Sequence, residues 1–303
     1  MTALPLSKRV AALMAAGAVA AACGIVAAMP AQAHAATNLT LDNVKNLPFY
    51  DAEHTAAKPV WKSTSKVIAV GGCKQCASIW YDERAWDIQK AGNGILLSDV
   101  GTDLDGDPYD IKIVAKSVKG VHTDKGTVSL DVRSEDYSKV PQAGQSLCIN
   151  ISSMSQGEAT FTVSYLKHGT SKAASVKGVS CVYDIDAWNW GIDCPDLMFN
   201  GNEGVSFANN EGACYVTYSK TMSVNASKGT FCNIASTNTG SWGSSYSGYG
   251  GKDLNGAVVA LLDSSSYGMT FSGSGAGIDM YFDTQEIPDN PHKEAKVMMN
   301  DAS

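Results

Sequence analysis

The chain has 303 residues, of which 44% are hydrophobic and 17% charged, and its formal net charge at pH 7 is −7. This hydrophobic content is enough for a large core and excludes an intrinsically disordered chain. The negative charge argues against DNA, RNA and anionic lipid surfaces as partners, because binding to phosphates needs clustered Lys and Arg. We therefore expect a folded protein with no nucleic-acid partner.

The N-terminal residues 1–35 have the pattern of a secretory signal peptide. Lys8 and Arg9 precede an uncharged apolar stretch over residues 10–29, and Ala31 and Ala33 form a small-x-small cleavage pattern. A stretch of this length could also span a membrane, but it is rich in Ala and Gly rather than Leu, so we favour cleavage. No second apolar run of this length follows. We expect a secreted or cell-surface protein with no membrane span in the mature chain.

The mature chain is predicted to be almost entirely β-structure. Residues 36–65, interrupted by Pro48 and Pro59, are expected to form a leader segment along the body, and a minor helix is predicted near 77–90. Within the first predicted β-sandwich region, 66–180, segments such as 109–114, 127–132 and 159–165 alternate apolar with polar residues. Strands with one apolar face must bury that face against a second sheet.

The same alternation continues in a second β-rich region, 181–287. That region contains a Ser/Gly/Tyr-rich segment, 236–251, which predicts a long loop with aromatic residues. Residues 288–303 have two prolines and are predicted to be a linker or tail. The predicted fold class is all-β, as one large β-sandwich or two closely packed ones.

Cysteine usage suggests disulfides. Of eight cysteines, Cys23 lies in the predicted signal peptide, which leaves seven. In an exported chain we expect two disulfides, with the pairing open, among four clustered residues: Cys181, Cys194, Cys214 and Cys232. Cys73 and Cys76 have the spacing of a redox motif but not its flanking residues, so we expect a local bridge or two buried thiols there.

One segment has the composition of a cation-binding loop. Asp103, Asp105 and Asp107 alternate around Gly106, and carboxylates so arranged can bind a hard cation such as Ca²⁺. The positions of Gly and Glu do not fit an EF-hand, and a tight hairpin turn has the same composition. We favour the turn. No cofactor is expected, and Ca²⁺ is the one possible ion.

Motifs for catalysis are weak. Asp184 and Asp186 lie on one side of an extended segment and could serve glycoside hydrolysis or bind a cation, but a structural role at a strand end is favoured. The sequence has no Gly-x-Ser-x-Gly elbow and no His-Glu-x-x-His motif. We expect a protein that is not an enzyme.

Five aromatic residues are candidates for ligand binding, because aromatic rings stack on sugars and anchor protein partners. They are Trp188, Trp190, Trp242, Tyr246 and Tyr249. For Trp188 and Trp190, filling of the sandwich core is an equal alternative.

The order of several segments resembles a known family. These segments are LSDVGTDLDGDPYDIKI at 97–113, the strand 159–165, VYDID at 182–186, KTMSV at 220–224 and FSGSGAGID at 271–279. They are similar to the N-terminal β-sandwich regions of surface adhesins of Gram-positive bacteria, especially gut actinobacteria and clostridia. The resemblance covers about residues 65–285.

The resemblance implies a non-enzymatic head that binds a host surface glycan or matrix protein, followed by stalk domains and a sortase signal. The 303 residues contain no Leu-Pro-x-Thr-Gly motif, which leaves anchoring open between release and a longer chain. Some adhesins of this kind carry a Cys-Gln thioester, for which Cys148 and Gln285 are the candidates in this chain. The alternative functions are a carbohydrate-binding module, a weak glycoside hydrolase or a purely structural envelope component.

Overall fold

The computed structural model describes residues 37–38, 50–77, 85–134, 141–183, 204–209, 213–219, 222–225, 230–233, 258–273, 276–282 and 294–301. All of them lie in one compact unit, His34–Ser303. In these residues the chain forms two antiparallel sheets, of ten and eight strands, and one short helix. The predicted all-β sandwich is confirmed.

The strands divide unequally between the two sheets, and the helix is α1 (Ala52–Ala56). The ten-stranded sheet contains β1 (Thr37–Asn38), β3 (Lys74–Cys76), β4 (Ala85–Ile88), β7 (Val128–Ser134), β8 (Leu147–Ser153), β10 (Val179–Tyr183), β12 (Ala213–Ser219), β15 (Val258–Leu262), β17 (Ala276–Tyr281) and β18 (Glu294–Asp301). The eight-stranded sheet contains β2 (Lys66–Val70), β5 (Gly94–Thr102), β6 (Pro108–Gly120), β9 (Gly157–Lys167), β11 (Gly204–Asn209), β13 (Met222–Asn225), β14 (Thr230–Asn233) and β16 (Ser266–Gly273).

Strands from distant parts of the chain are neighbours in both sheets. The order in the ten-stranded sheet is β1-β18-β12-β15-β10-β17-β8-β7-β4-β3. The order in the eight-stranded sheet is β13-β14-β11-β16-β9-β6-β5-β2. In both sheets a strand from the predicted second region pairs with one from the first: β17 with β8, and β16 with β9.

The core lies between the two sheets. In β9 buried and half-buried residues alternate, and Phe161, Val163 and Tyr165 face inward. From the ten-stranded sheet, Leu130 of β7 and Ile149 of β8 belong to the same buried cluster. The period of two that predicted the strands is therefore the pattern that fills this core.

In the described residues, the one helix lies outside 77–90, where the sequence predicted a helix. Residues 85–88 of the predicted helix form strand β4, and residues 78–84 lie outside the described residues. Ile88 is buried and Trp86 packs on the core, so their alternation is that of a strand. The observed helix, α1, begins after Asp51, whose Oδ1 accepts hydrogen bonds from the backbone N–H groups of residues 53 and 54.

The segments predicted as leader and tail both contact the sandwich. Ala57 and Trp61 of the leader are buried, and the Tyr109 hydroxyl donates a hydrogen bond to the Ala57 carbonyl at 2.9 Å. The tail predicted over 288–303 contains strand β18, which pairs with β12 and β1. Its Ala295, Val297 and Met299 alternate with other residues, a strand pattern that the preceding prolines obscure.

Candidate functional site

The predicted cation-binding segment forms the hairpin turn between β5 and β6. Gly106 adopts a positive φ of 83°, which a residue with a Cβ rarely adopts. Oδ1 of Asp103 accepts hydrogen bonds from the backbone N–H groups of Asp105 and Asp107, both at 3.0 Å. Oδ2 of Asp103 accepts one from the N–H of Ser175, also at 3.0 Å. The buried Asp103 carboxylate thus closes the turn and fastens it to a neighbouring segment.

An ammonium group lies among the three carboxylates of this turn. One oxygen from each of Asp103, Asp105 and Asp107 lies within 4.8 Å of the others, close enough to share a cation. However, Nζ of Lys167 lies 2.7 Å from Asp107 Oδ2 and 3.1 Å from Asp105 Oδ2. Hydrogen bonds to these two carboxylates raise the pKa of Lys167. The turn therefore carries its own positive charge, and Ca²⁺ binding here stays a prediction.

A second group of polar residues lies on the face of the ten-stranded sheet that points away from the core. In β7 and β8 every residue is buried, on both faces. The core side carries mainly apolar residues. The other side carries Ser129, Asp131 and Arg133 from β7 and Cys148, Asn150 and Ser152 from β8. The outer face of a sandwich sheet is usually polar and exposed to water. Here it is polar and buried, and we call it the buried polar face.

The centre of the buried polar face is a row of three residues across three strands. Asp131 of β7 lies opposite Asn150 of β8, which lies opposite Asp279 of β17. Asn150 Nδ2 donates a hydrogen bond to Asp279 Oδ1 at 2.9 Å. Arg133 donates through Nε to Asp131 Oδ2 at 2.7 Å and through Nη2 to Asn150 Oδ1 at 3.4 Å. The row and the neighbouring Arg133 therefore join two carboxylates, an amide and a guanidinium.

The protonation of Asp279 is strongly perturbed. Burial raises the pKa of this carboxyl, which Arg133 lowers and Asp131 raises further, to about 7. Burial disfavours the charged form because the interior solvates it poorly. The Asp279 carboxyl therefore titrates near neutral pH.

Cys148, the thioester candidate, borders this row. It is fully buried, and its Sγ lies 3.9 Å from Asp279 Oδ1 as a weak hydrogen-bond donor. Gln285 lies outside the described residues. The thioester stays a prediction.

The predicted disulfides also remain predictions. Cys181 is buried in β10. Cys194 lies outside the described residues, and the structure describes only the backbone at Cys214 and Cys232.

The Cys73 and Cys76 side chains are thiols, the first buried and the second half-buried. Burial, with a contribution from the Asp87 charge, raises the pKa of Cys73 to about 11 and that of Cys76 to about 12. A redox-active cysteine needs a lowered thiol pKa, so these two do not have the electrostatics of a redox centre.

The five aromatic candidates Trp188, Trp190, Trp242, Tyr246 and Tyr249, and the acids Asp184 and Asp186, lie outside the described residues. Sequence reasoning missed Asp131, Arg133, Asn150 and Asp279 altogether. Their signal was polar residues at every second position of otherwise apolar strands. That pattern is indistinguishable in sequence from an ordinary solvent-facing side.

No helix in the described part of the chain is long and apolar enough to span a membrane. No protein-family model and no curated protein matches the chain. Solved structures that are similar to it include bacterial adhesin domains.

The adhesin domain of PrgB from Enterococcus faecalis, bound to DNA, has a TM-score of 0.47 at 10% identity, covering 79% of this chain and 91% of that chain. A second structure of the PrgB adhesin domain gives 0.44 at 12% identity with the same coverage. The N-terminal domain of the Streptococcus gordonii adhesin Sgo0707 gives 0.39 at 10% identity, covering 76% of this chain and 64% of that one. These likenesses are too distant to carry an argument about function.

Proposed function

We propose that the chain is the ligand-binding region of an exported, adhesin-like surface protein that acts by binding rather than by catalysis. The observation that carries the proposal is a secretory signal pattern placed before a large two-sheet sandwich. The one helix in its described residues has five residues. Such a scaffold holds its strands rigidly and presents ligand contacts on the connections between them.

The connection between β14 and β15 is the proposed location of the ligand contacts. β14 ends at Asn233 in the eight-stranded sheet and β15 begins at Val258 in the ten-stranded sheet, so this long connection joins the two sheets. It contains Trp242, Tyr246 and Tyr249. Long connections in compact domains are usually functional, and aromatic rings there offer large contact areas at low entropic cost.

The proposed ligand is a host surface glycan or matrix protein. The net charge of −7 disfavours a polyanion, because phosphate binding depends on clustered positive charge. Rings with polar neighbours suit sugar faces or the apolar anchors of a protein partner.

The test is binding of the full chain, after export and signal removal, to immobilised mucins, matrix proteins, polysaccharides and duplex DNA. We expect saturable binding to a glycan or matrix protein, weakened about tenfold or more by Trp242→Ala. Val121→Ala is the matched control, since this exposed apolar side chain lies outside the long connection and its loss should leave binding unchanged. Binding to DNA alone would overturn the proposed partner. Binding to nothing on the panel would favour a structural envelope role.

A further inference from the structure

The buried polar face contains carboxylate oxygens with no hydrogen-bond donor. In the described part of the chain, Asp131 Oδ1 and Asp279 Oδ2 are buried and accept no hydrogen bond. Both residues are 1% exposed. A buried acceptor without a donor is destabilising, because it has lost its hydration and gained nothing in return. Something that supplies positive charge or donors would stabilise both oxygens.

The charges on this face are also unequal. Asp87 of β4 lies opposite Ser129 and therefore on the same face. The buried side chains of this face in the described residues include three carboxylates, on Asp87, Asp131 and Asp279, but one guanidinium, on Arg133. Arg133 is already engaged with Asp131 at 2.7 Å. An uncompensated buried carboxylate is costly, and a bound cation would compensate it.

The spacing of the row fits a shared ion. Asp131 and Asp279 flank Asn150 in register, so two strand separations of about 4.8 Å place their Cα atoms about 10 Å apart. Two aspartate side chains and two Ca–O bonds of about 2.4 Å can bridge that gap. Asn150 lies between them in the row. Its Nδ2 donates to Asp279 Oδ1, and its Oδ1 accepts only the long 3.4 Å hydrogen bond from Arg133 among the described residues.

We propose that Asp131 and Asp279, with Asn150 between them, form an enclosed site for a hard divalent cation such as Ca²⁺. The donors are carboxylate and amide oxygens, which suit Ca²⁺ or Mg²⁺ rather than a thiophilic metal. The acidic turn at Asp103–Asp107, the cation candidate that the sequence offers, is a poorer site because the Lys167 ammonium lies within 4.0 Å of all three of its carboxylates. On the buried polar face, Arg133 pairs with Asp131, and Asp279 has no ion-pair partner among the described residues. The proposal does not depend on which ligand the protein binds.

The test is the thermal unfolding of the full chain, first stripped with a chelator and then supplied with millimolar CaCl₂ or MgCl₂ at pH 8. A cation that binds only the folded state raises its midpoint temperature. We expect a rise of several degrees with Ca²⁺, which Asp279→Asn abolishes. The matched control is Asp105→Asn, which removes a carboxylate from the acidic turn and should leave the rise intact.

A second variant keeps the proposal falsifiable if Asp279→Asn does not fold. Asn150→Asp is nearly isosteric and adds a third carboxylate to the row, so it should lower the stability of the cation-free protein and enlarge the Ca²⁺-induced rise. No rise in the wild-type protein would overturn the proposal. So would a rise that Asp105→Asn abolishes, or one that Asn150→Asp leaves unchanged.

Discussion

Two groups of aspartates in this protein differ in how their carboxylates are supplied with hydrogen-bond donors. At the acidic turn, Asp103, Asp105 and Asp107 are neighbours in sequence, and backbone N–H groups and Lys167 supply their hydrogen bonds. On the buried polar face, Asp131 and Asp279 come from strands far apart in sequence, and each keeps an oxygen without a donor among the residues that the structure describes. Both groups have three carboxylates and one cationic side chain, but Asp105 and Asp107 of the turn are exposed to water, whereas the carboxylates of the buried polar face are not. The difference teaches that carboxylates gathered by strand pairing can be left buried without donors, while a conspicuous acidic motif is supplied with them.

The largest expected effect is the loss of the Arg133 guanidinium from the buried polar face. Arg133→Met should lower the free energy of unfolding by about 3–5 kcal/mol, because it leaves Asp131 buried without its counter-charge. Denaturant unfolding measures this. Lys119→Met is the matched control: Lys119 lies the same 2.7 Å from Glu158 as Arg133 lies from Asp131, but it is largely exposed. Arg133→Met should lower the free energy of unfolding much more than Lys119→Met. Equal losses would show that burial of the Arg133–Asp131 pair does not matter.

The next effect is a pH dependence that belongs to the buried polar face. The pKa of Asp279 is raised from 3.8 to about 7, so on raising the pH the unfolded chain loses this proton before the folded one. The free energy of unfolding is therefore highest, as far as Asp279 is concerned, below about pH 4. It falls by roughly 4 kcal/mol in all as the pH rises from there to about 7.

Asp279→Asn should remove this pH dependence of the free energy of unfolding. Unfolding with denaturant in the presence of a chelator, at pH 5 and pH 8, compares the two proteins. An unchanged difference between the two pH values in the variant would contradict the assignment.

A smaller effect is expected at the acidic turn. Asp103→Ala removes the acceptor of three backbone hydrogen bonds, from residues 105, 107 and 175, and should cost about 2 kcal/mol. Asp107→Ala, at an exposed carboxylate of the same turn, should cost clearly less. If both variants unfold at the same denaturant concentration, Asp103 does not hold the turn.

The smallest effect on stability is expected for Lys167→Met. Exposed ion pairs contribute little, so the unfolding midpoint without divalent cations should hardly move. The substitution leaves three carboxylates facing one another, and a new Ca²⁺ response should appear in thermal unfolding. Lys119→Met again serves as control. The absence of any new response would show that the turn cannot bind a cation even without its ammonium group.

The sequence predicted the fold better than the site. Strands such as β6 and β9 follow an alternation of apolar and polar residues that is visible in each short segment of the sequence. The predicted helix was wrong at β4, because Trp86 and Ile88 are two residues apart, which is the period of a strand and not of a helix.

The acidic turn was visible because its residues are adjacent. The buried row was not, since the Asn150–Asp279 hydrogen bond joins residues 129 positions apart. Strand pairing alone brings them together, and a single sequence does not give that pairing. Burial of the outer face was equally hidden, because polar residues at alternate positions normally indicate contact with water.

The most direct test of the contrast between the two groups is an NMR titration of the aspartate side-chain carboxyl carbons in the full chain, with a chelator present. We expect one carboxyl to titrate near pH 7 and to vanish from the spectrum of Asp279→Asn. The Asp105 carboxyl, whose pKa is lowered by hydrogen bonds from Ser175 and Lys167, should titrate below its usual range. If every aspartate of the wild-type protein titrates below about pH 5, the buried polar face is not short of positive charge and the account is wrong.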